Sequence, residues 1–421
     1  MKVNAIFGPP GTGKTRSLVE LAEGEERGAL FLSYTRTAAA EATSRLDFPI
    51  RTSTIHALAF NALQMSRAVV VDRKKLTDFG RTAGFPFKGT EDGSDEIQEG
   101  DEYAAVVSYA NNQMIQIGEA YDLQQKPGTW GRFSMFVQAY HDWKTTFGYM
   151  DFDDMLNSML KLDEKYIPRH PVIFLDEAQD CSNLQWAVFN RIAAKADRVY
   201  IAGDDDQAIY EWNGANPHGM IEFIEQHRGE QRILNQSHRV PKRAHVKAMA
   251  LIGGVKRRVK KAFAATKQQG SVIEYGDIWN VDMHRFANDG GGLILVRDRF
   301  KQDEIKRSLN RDMLAYDVLG AHSPWTSKIA KELIAGKKPD IPMHWREFYR
   351  QADLTQPVKI TLSTIHQAKG REAPRVMVDL EMPTRALVDL HRNPDAEMRV
   401  WYVALTRTSD ELILCGSNPL L

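Results

Sequence analysis

The chain has 421 residues, 43% of them hydrophobic, which is length for about two to four domains with ordinary cores. Lys+Arg and Asp+Glu balance at 55 each. A protein that simply coats nucleic acid would be basic overall; one that grips it in a local cleft need not be, so the balance leaves such a partner open. No run of roughly 18 apolar residues occurs and no membrane span is expected. The two cysteines, Cys181 and Cys415, lack zinc spacing and read as inert thiols of a reducing cytoplasm.

The first predicted strand, Ala5–Phe7, runs into Gly8-Pro9-Pro10-Gly11-Thr12-Gly13-Lys14-Thr15, and a helix-like segment, Arg16 to Glu23, follows. This start is not that of a secretion signal. The octapeptide fits G-x-x-x-x-G-K-[ST] in the strand–loop–helix setting that motif needs. Its glycines let backbone N–H groups curl round phosphates, and the helix N-terminus adds positive potential. Lys14 would reach the β- and γ-phosphates and Thr15 would ligate Mg²⁺, so ATP or GTP binding is expected.

Ala29–Ser33 reads as the next strand. Residues 66–148 are rich in helix formers and read as a mostly helical insertion, with an acidic stretch, Glu91 to Glu102, expected to be a solvated loop; a DNA mimic is the alternative. Val172–Asp176 is an apolar strand ending in Asp176-Glu177. Asp176 would hold Mg²⁺ through its shell, and Glu177 would orient or deprotonate an attacking water. A further strand, Val199–Gly203, leads into Asp204-Asp205-Asp206-Gln207, where Gln207 suits sensing of a γ-phosphate. The basic run Lys256-Arg257-Arg258-Val259-Lys260-Lys261 reads as a phosphate-backbone contact or a solvated face. Leu293–Val296, Lys359–Thr364, Val376–Leu380 and Glu411–Cys415 fit a second sheet, with a strand-like Leu314–Leu319 between them. Strands alternating with helices predict an α/β chain with parallel sheets.

Taken in order, these motifs resemble the UvrD/Rep/PcrA family of superfamily 1 DNA helicases. Ser33 to Glu41 resembles its motif Ia and Thr52-Ser53-Thr54-Ile55-His56 its motif Ib. Asp151 to Leu156 is similar to a segment ahead of the Asp-Glu strand. Asp176-Glu177-Ala178-Gln179-Asp180 matches its acidic box, and Gly203 to Ala215, through Tyr210 and Trp212, its motif III. Leu234 to Arg239 matches motif IV, Thr361 to Glu372 motif V, and Tyr402 to Arg407 motif VI.

The resemblance implies two RecA-like P-loop domains. The first takes 1–65 and 149–235, the second 236–320 and 357–421, with 66–148 and a much reduced 321–356 as insertions. It implies catalysis by Lys14, Glu177, Gln207, Arg239 and Arg407, the two arginines reaching the γ-phosphate as fingers. Nucleotide contacts would come from Gly8 through Arg16, from His238, and from Glu372 on the ribose, and metal ligation from Thr15 and Asp176. The DNA side would be Thr35, Arg36, Thr54, His56 and His366 on phosphate or sugar, with Tyr210 and Trp212 stacking on bases.

The implied activity is ATP- and Mg²⁺-dependent movement along single-stranded DNA, 3′ to 5′, separating duplexes from single-strand/duplex junctions. The alternative is a translocase that displaces proteins or remodels replication or repair complexes with little unwinding. A nucleotide-gated switch and an RNA track are further readings. Replication or repair proteins are candidate partners. A monomer in the cytoplasm of a bacterial or phage-infected cell is expected.

Several positions depart from the family's pattern. The family's adenine-reading motif is not expected ahead of the P-loop strand, and His238 stands where a tyrosine stacks on adenine, so ATP preference is expected to be less sharp. Glu211 and Asn213 replace arginines beside Trp212, Ile55 replaces a base-stacking aromatic, and Arg371 and Ala373 replace apolar residues beside Glu372. The short 321–356 segment suggests a less restrained motor.

Overall fold

The computed structural model describes residues 1–25, 28–34, 50–88 and 98–421. Contacts divide the chain into two compact units. One contains Met1–Pro9, Gly13–Asn235 and Val259–Ala262. The other contains Pro10–Thr12, Gln236–Arg258 and Phe263–Leu421.

The first unit is built on strands β1 (Lys2–Phe7), β2 (Leu30–Ser33), β3 (Arg51–Ser53), β4 (Val172–Asp176), β5 (Arg198–Gly203) and β6 (Glu230–Ile233). Their order is β3-β2-β4-β5-β1-β6 and every pairing is parallel. Side chains alternate across such a sheet. Ile173 and Leu175 of β4 therefore join one apolar layer with Phe7, Leu32 and Ile201, while Val172 and Phe174 join the opposite layer with Ile6, Leu18 and Phe31. Burial on both faces explains why the central strands read as continuous apolar runs. Because β5 lies between β1 and β4, the loops after all three emerge side by side at one edge of the sheet, where parallel α/β sheets bind ligands.

Helices Arg73–Ala83, Glu99–Gln113, Ile117–Leu123 and Trp130–Phe147 occupy much of the span between β3 and β4. They pack around their own aromatic core of Phe79, Phe85, Tyr103, Phe133, Phe136 and Tyr140. Residues 91–97 of the expected acidic loop lie outside the described residues. Its described end is helical rather than loop: Glu99, Asp101 and Glu102 fill the first turn of Glu99–Gln113, where carboxylates favour the helix dipole. Glu99 also pairs with Arg132 at 2.8 Å and Asp101 with Arg73.

The second unit carries β7 (Ser271–Tyr275), β8 (Gly292–Val296), β9 (Tyr316–Val318), β10 (Ile360–Thr364), β11 (Ala373–Asp379) and β12 (Thr408–Cys415), in the order β7-β12-β11-β8-β10-β9 and all parallel. Within 321–356, short helices Lys328–Ile334 and Arg346–Gln351 fold back so that Trp325 and Phe348 join the core beneath β9 and β10. Both units are thus parallel-sheet α/β folds of the RecA-like kind.

Candidate functional site

The helix Lys14–Glu23 starts from Gly13, which adopts φ +82° and offers no side-chain cap. Gly11 has φ +73°. A left-handed backbone favours glycine at both points, and the uncapped N–H groups of the first turn are a ready anion site. The Gly8 N–H donates to the Gly203 carbonyl at 3.2 Å, tying the loop after β1 to the end of β5. Lys14 is buried, and its Nζ donates to the Gly8 carbonyl at 2.7 Å. Thr15 Oγ1 donates to Asp176 Oδ2 at 2.7 Å. Arg16, in contrast, is exposed and pairs along its own helix with Glu20 at 2.8 Å.

At the end of β4, Asp176 is fully buried, and desolvation, reinforced by Glu177, pushes its carboxyl up to about 7. Glu177 sits at φ +54°, a left-handed conformation rare for a residue with a side chain and common at functional sites. Its Oε2 accepts from Gln179 Nε2 at 2.6 Å. Gln179 Oε1 in turn accepts from the Asp204 N–H at 2.9 Å. Gly203 permits this closeness, since a Cβ there would lie 2.6 Å from Gln179 Oε1. Gln207 is buried and donates to Asp204 Oδ2 at 2.7 Å. The sequence-predicted Lys14, Thr15, Asp176, Glu177 and Gln207 thus lie at or beyond the C-terminal ends of the neighbouring strands β1, β4 and β5, on one edge of the sheet.

Three residues beyond Gln207, Tyr210 stacks on Tyr34 with ring centroids 5.6 Å apart. Burial raises the pKa of both phenols, Asp180 adding to the rise, so they stay protonated. Trp212 is 60% exposed. A cavity of about 1010 Å³ opens nearby in the same unit, lined among others by Tyr34, Thr54, His56, Asn112, Asp153 and Asn213. Desolvation pushes His56 down to about 4, so its ring is neutral, and it meets Phe152 edge-on at 5.6 Å. Thr54 has a structural duty as well: its Oγ1 accepts from the Ala57 N–H and caps the helix Ile55–Ala62. Thr35 and Arg36 lie outside the described residues.

In the second unit, Ser237 Oγ accepts from the N–H groups of Arg239 and Val240 and donates to the Pro10 carbonyl at 2.8 Å. The His238 N–H donates to the Gly11 carbonyl at 2.8 Å, and His238 is exposed. Thr12 is buried. Arg239 forms an ion pair with Glu372, joining two residues that the sequence assigned to separate duties, the γ-phosphate and the ribose. Arg407 is 1% exposed, with its guanidinium donating to the carbonyls of Val403 and Arg371. His366 follows β10 and is half-buried.

The basic run divides in two. Lys256, Arg257 and Lys260 are exposed, but Lys261 is buried against Asp204, Asp205 and Asp206, so it is no part of a phosphate-binding face. Residue type alone gave no sign of this, because a lysine in a basic run reads as solvated.

Residues 2–228 match the UvrD/REP helicase N-terminal domain. The chain belongs to the UvrD/REP helicase family. Residues 346–418 match the UvrD-like helicase C-terminal domain. Among relatives, the chain is 27% identical over 218 residues to DNA helicase II of Haemophilus influenzae, covering 47% of this chain and 30% of that protein. It is 29% identical over 204 residues to DNA helicase II of Escherichia coli, covering 44% and 28%. To the ATP-dependent DNA helicase Rep of Buchnera aphidicola it is 21% identical over 367 residues, covering 78% and 55%. The chain therefore spans between under a third and about half the length of these UvrD/REP relatives. No helix among the described residues is long and apolar enough to cross a membrane.

Proposed function

We propose that this UvrD/REP-family chain is an ATP-driven motor on single-stranded DNA that couples hydrolysis to duplex separation, moving 3′ to 5′. The observation that carries this reading is the loop after β5. Within six residues it runs from Gln207, buried beside the phosphate-loop edge, to Trp212, an exposed indole. A nucleotide-sensing group and a base-stacking platform on one short segment are what coupling requires, since aromatic stacking holds unpaired bases without reading sequence.

Thr15 and Asp176 fit Mg²⁺, because their hydroxyl and carboxylate oxygens meet at 2.7 Å and hard oxygen donors suit that ion. When bound, the ion supplies neutralisation of phosphate charge. In this reading Lys14 and the N–H groups of the Lys14–Glu23 first turn hold the phosphates. Glu177 Oε2, held by Gln179, accepts the proton of the attacking water, and Gln207 orients that water. Arg239 and Arg407 are assigned to transition-state charge, and Glu372, His238 and Arg16 to the nucleoside, on their motifs.

A strand-separation assay on duplexes with a single 3′ or 5′ tail tests the reading. Preferential opening of the 3′-tailed substrate supports it, and preference for the 5′ tail overturns the direction. Displacement of a bound protein without opening of either duplex selects the translocase alternative.

A further inference from the structure

Lys261 has no part in the turnover steps above, yet it is the most enclosed cation of the first unit's site edge. Its side chain is 0% exposed, with Nζ 2.9 Å from Asp204 Oδ1, 3.0 Å from Asp206 Oδ2, and paired also with Asp205. The ligand atoms of the three carboxylates lie within 4.8 Å of one another. Three buried like charges at that spacing cannot all ionise unaided. An ammonium group carries three N–H donors, and here each faces one aspartate. Burial by itself would strip the proton from Lys261, but the three carboxylates reverse this and hold it cationic.

The chain makes a detour to deliver this group. It leaves the first unit at Asn235, returns only for Val259–Ala262, and leaves again at Phe263. The return is pinned twice, because the Val259 N–H also donates to Asp205 Oδ2 at 2.7 Å. Asp204 is the member that matters for chemistry. One oxygen faces Lys261, and the other accepts from Gln207 Nε2 at 2.7 Å. An ionised Asp204 is an acceptor only, so it fixes the Gln207 amide with its NH₂ inward and its carbonyl oxygen turned to the other side.

We propose that Lys261 is a positioning residue for nucleotide hydrolysis: by holding Asp204 in place it sets the orientation of the Gln207 amide. The proposal rests on the hydrolytic reading given above. Its physical content is that the ammonium both keeps Asp204 ionised and fixes its rotamer, and without it Gln207 gains the freedom to flip.

Removing Lys261 alone leaves an uncompensated buried charge, so the test pairs Lys261→Met with Asp205→Asn, which restores the cluster's net charge without touching Gln207. Steady-state ATP hydrolysis on single-stranded DNA is measured for the wild type, Lys261→Met/Asp205→Asn, Gln207→Ala and the combination of all three. Hydrogen exchange of the segment from Asp204 to Gln207 is measured in parallel without nucleotide.

The expected result is a kcat lower by about tenfold or more, with KM for ATP within about twofold. On the Gln207→Ala background the same change should cost less than about twofold, because the two act through one group. Exchange should quicken at Asp204 to Gln207. A full-sized loss on the Gln207→Ala background, an unchanged kcat, or unchanged exchange overturns the proposal. A wild type that hydrolyses nothing overturns the hydrolytic reading instead, and the exchange result then still decides whether Lys261 fixes the loop.

Discussion

Thr15 Oγ1 and Asp176 Oδ2, separated by 161 positions in the chain, meet in a hydrogen bond of 2.7 Å. It joins the first turn of the phosphate-loop helix to the acidic end of β4, and it brings two oxygen donors to one point. Thr15→Ala and Asp176→Asn are each expected to lower ATP hydrolysis on the order of a hundredfold or more, since metal-borne charge neutralisation is worth several kcal/mol. Thr15→Ser, which keeps the hydroxyl, should retain most activity. Titrating Mg²⁺ at fixed ATP checks this: the two disabling variants should need more metal, and an unchanged metal requirement would contradict the assignment.

Gly203→Ala tests the packing between the ends of β4 and β5. The added methyl would sit 2.6 Å from Gln179 Oε1 and 2.9 Å from Met220 Sδ. Overpacking of this kind costs about 1–3 kcal/mol. Urea unfolding should show a lower midpoint, and hydrolysis should fall because Gln179 also holds Glu177.

Asp153 makes the stability of the first unit depend on pH. It is buried and accepts from Asn112 Nδ2 at 3.0 Å. Desolvation, then the neighbouring Asp151, pushes its carboxyl up to about 7. An unfolded aspartate titrates near 3.9. Between those values the folded state binds the extra proton, so stability contributed by Asp153 is complete below about pH 4 and is lost as pH rises through about 7. Asp153→Asn should therefore stabilise the protein at pH 8, by on the order of a few kcal/mol, with a higher melting temperature, and should stabilise it much less at pH 4.5. Equal effects at both pH values would contradict this.

Trp212 is 60% exposed and contributes little to the core. Trp212→Ala should weaken single-stranded DNA binding by about tenfold, in line with roughly 1–3 kcal/mol for a base stacked on an aromatic ring. The melting temperature should stay unchanged. Fluorescence anisotropy of a labelled oligonucleotide and a melting curve read the two effects separately.

The parts of this fold that were legible in the sequence share one physical cause. Strands β1, β4, β5 and β8 are buried on both faces, so they stand out as apolar runs. Strands β3, β6 and β7 were not anticipated. They lie at sheet edges, and their sequences, Arg-Thr-Ser, Glu-Gln-Arg-Ile and Ser-Val-Ile-Glu-Tyr, carry the polar side chains that edges favour. The phosphate loop was legible because its chemistry is local, with glycines, lysine and threonine in eight successive residues.

Pairings made by distant residues left no local mark. Lys261 meets Asp205 across 56 positions and Arg239 meets Glu372 across 133, and in each case the residue type pointed to solvent or ligand instead. Thr54 shows a third limit, since a threonine ahead of a helix serves as a cap whether or not it also meets a ligand.

The most direct measurement is the ATP hydrolysis rate with and without single-stranded DNA, with Lys14→Ala as the control. Hydrolysis should rise strongly with DNA and vanish in the Lys14→Ala variant. Hydrolysis indifferent to DNA, or undiminished by Lys14→Ala, would contradict it.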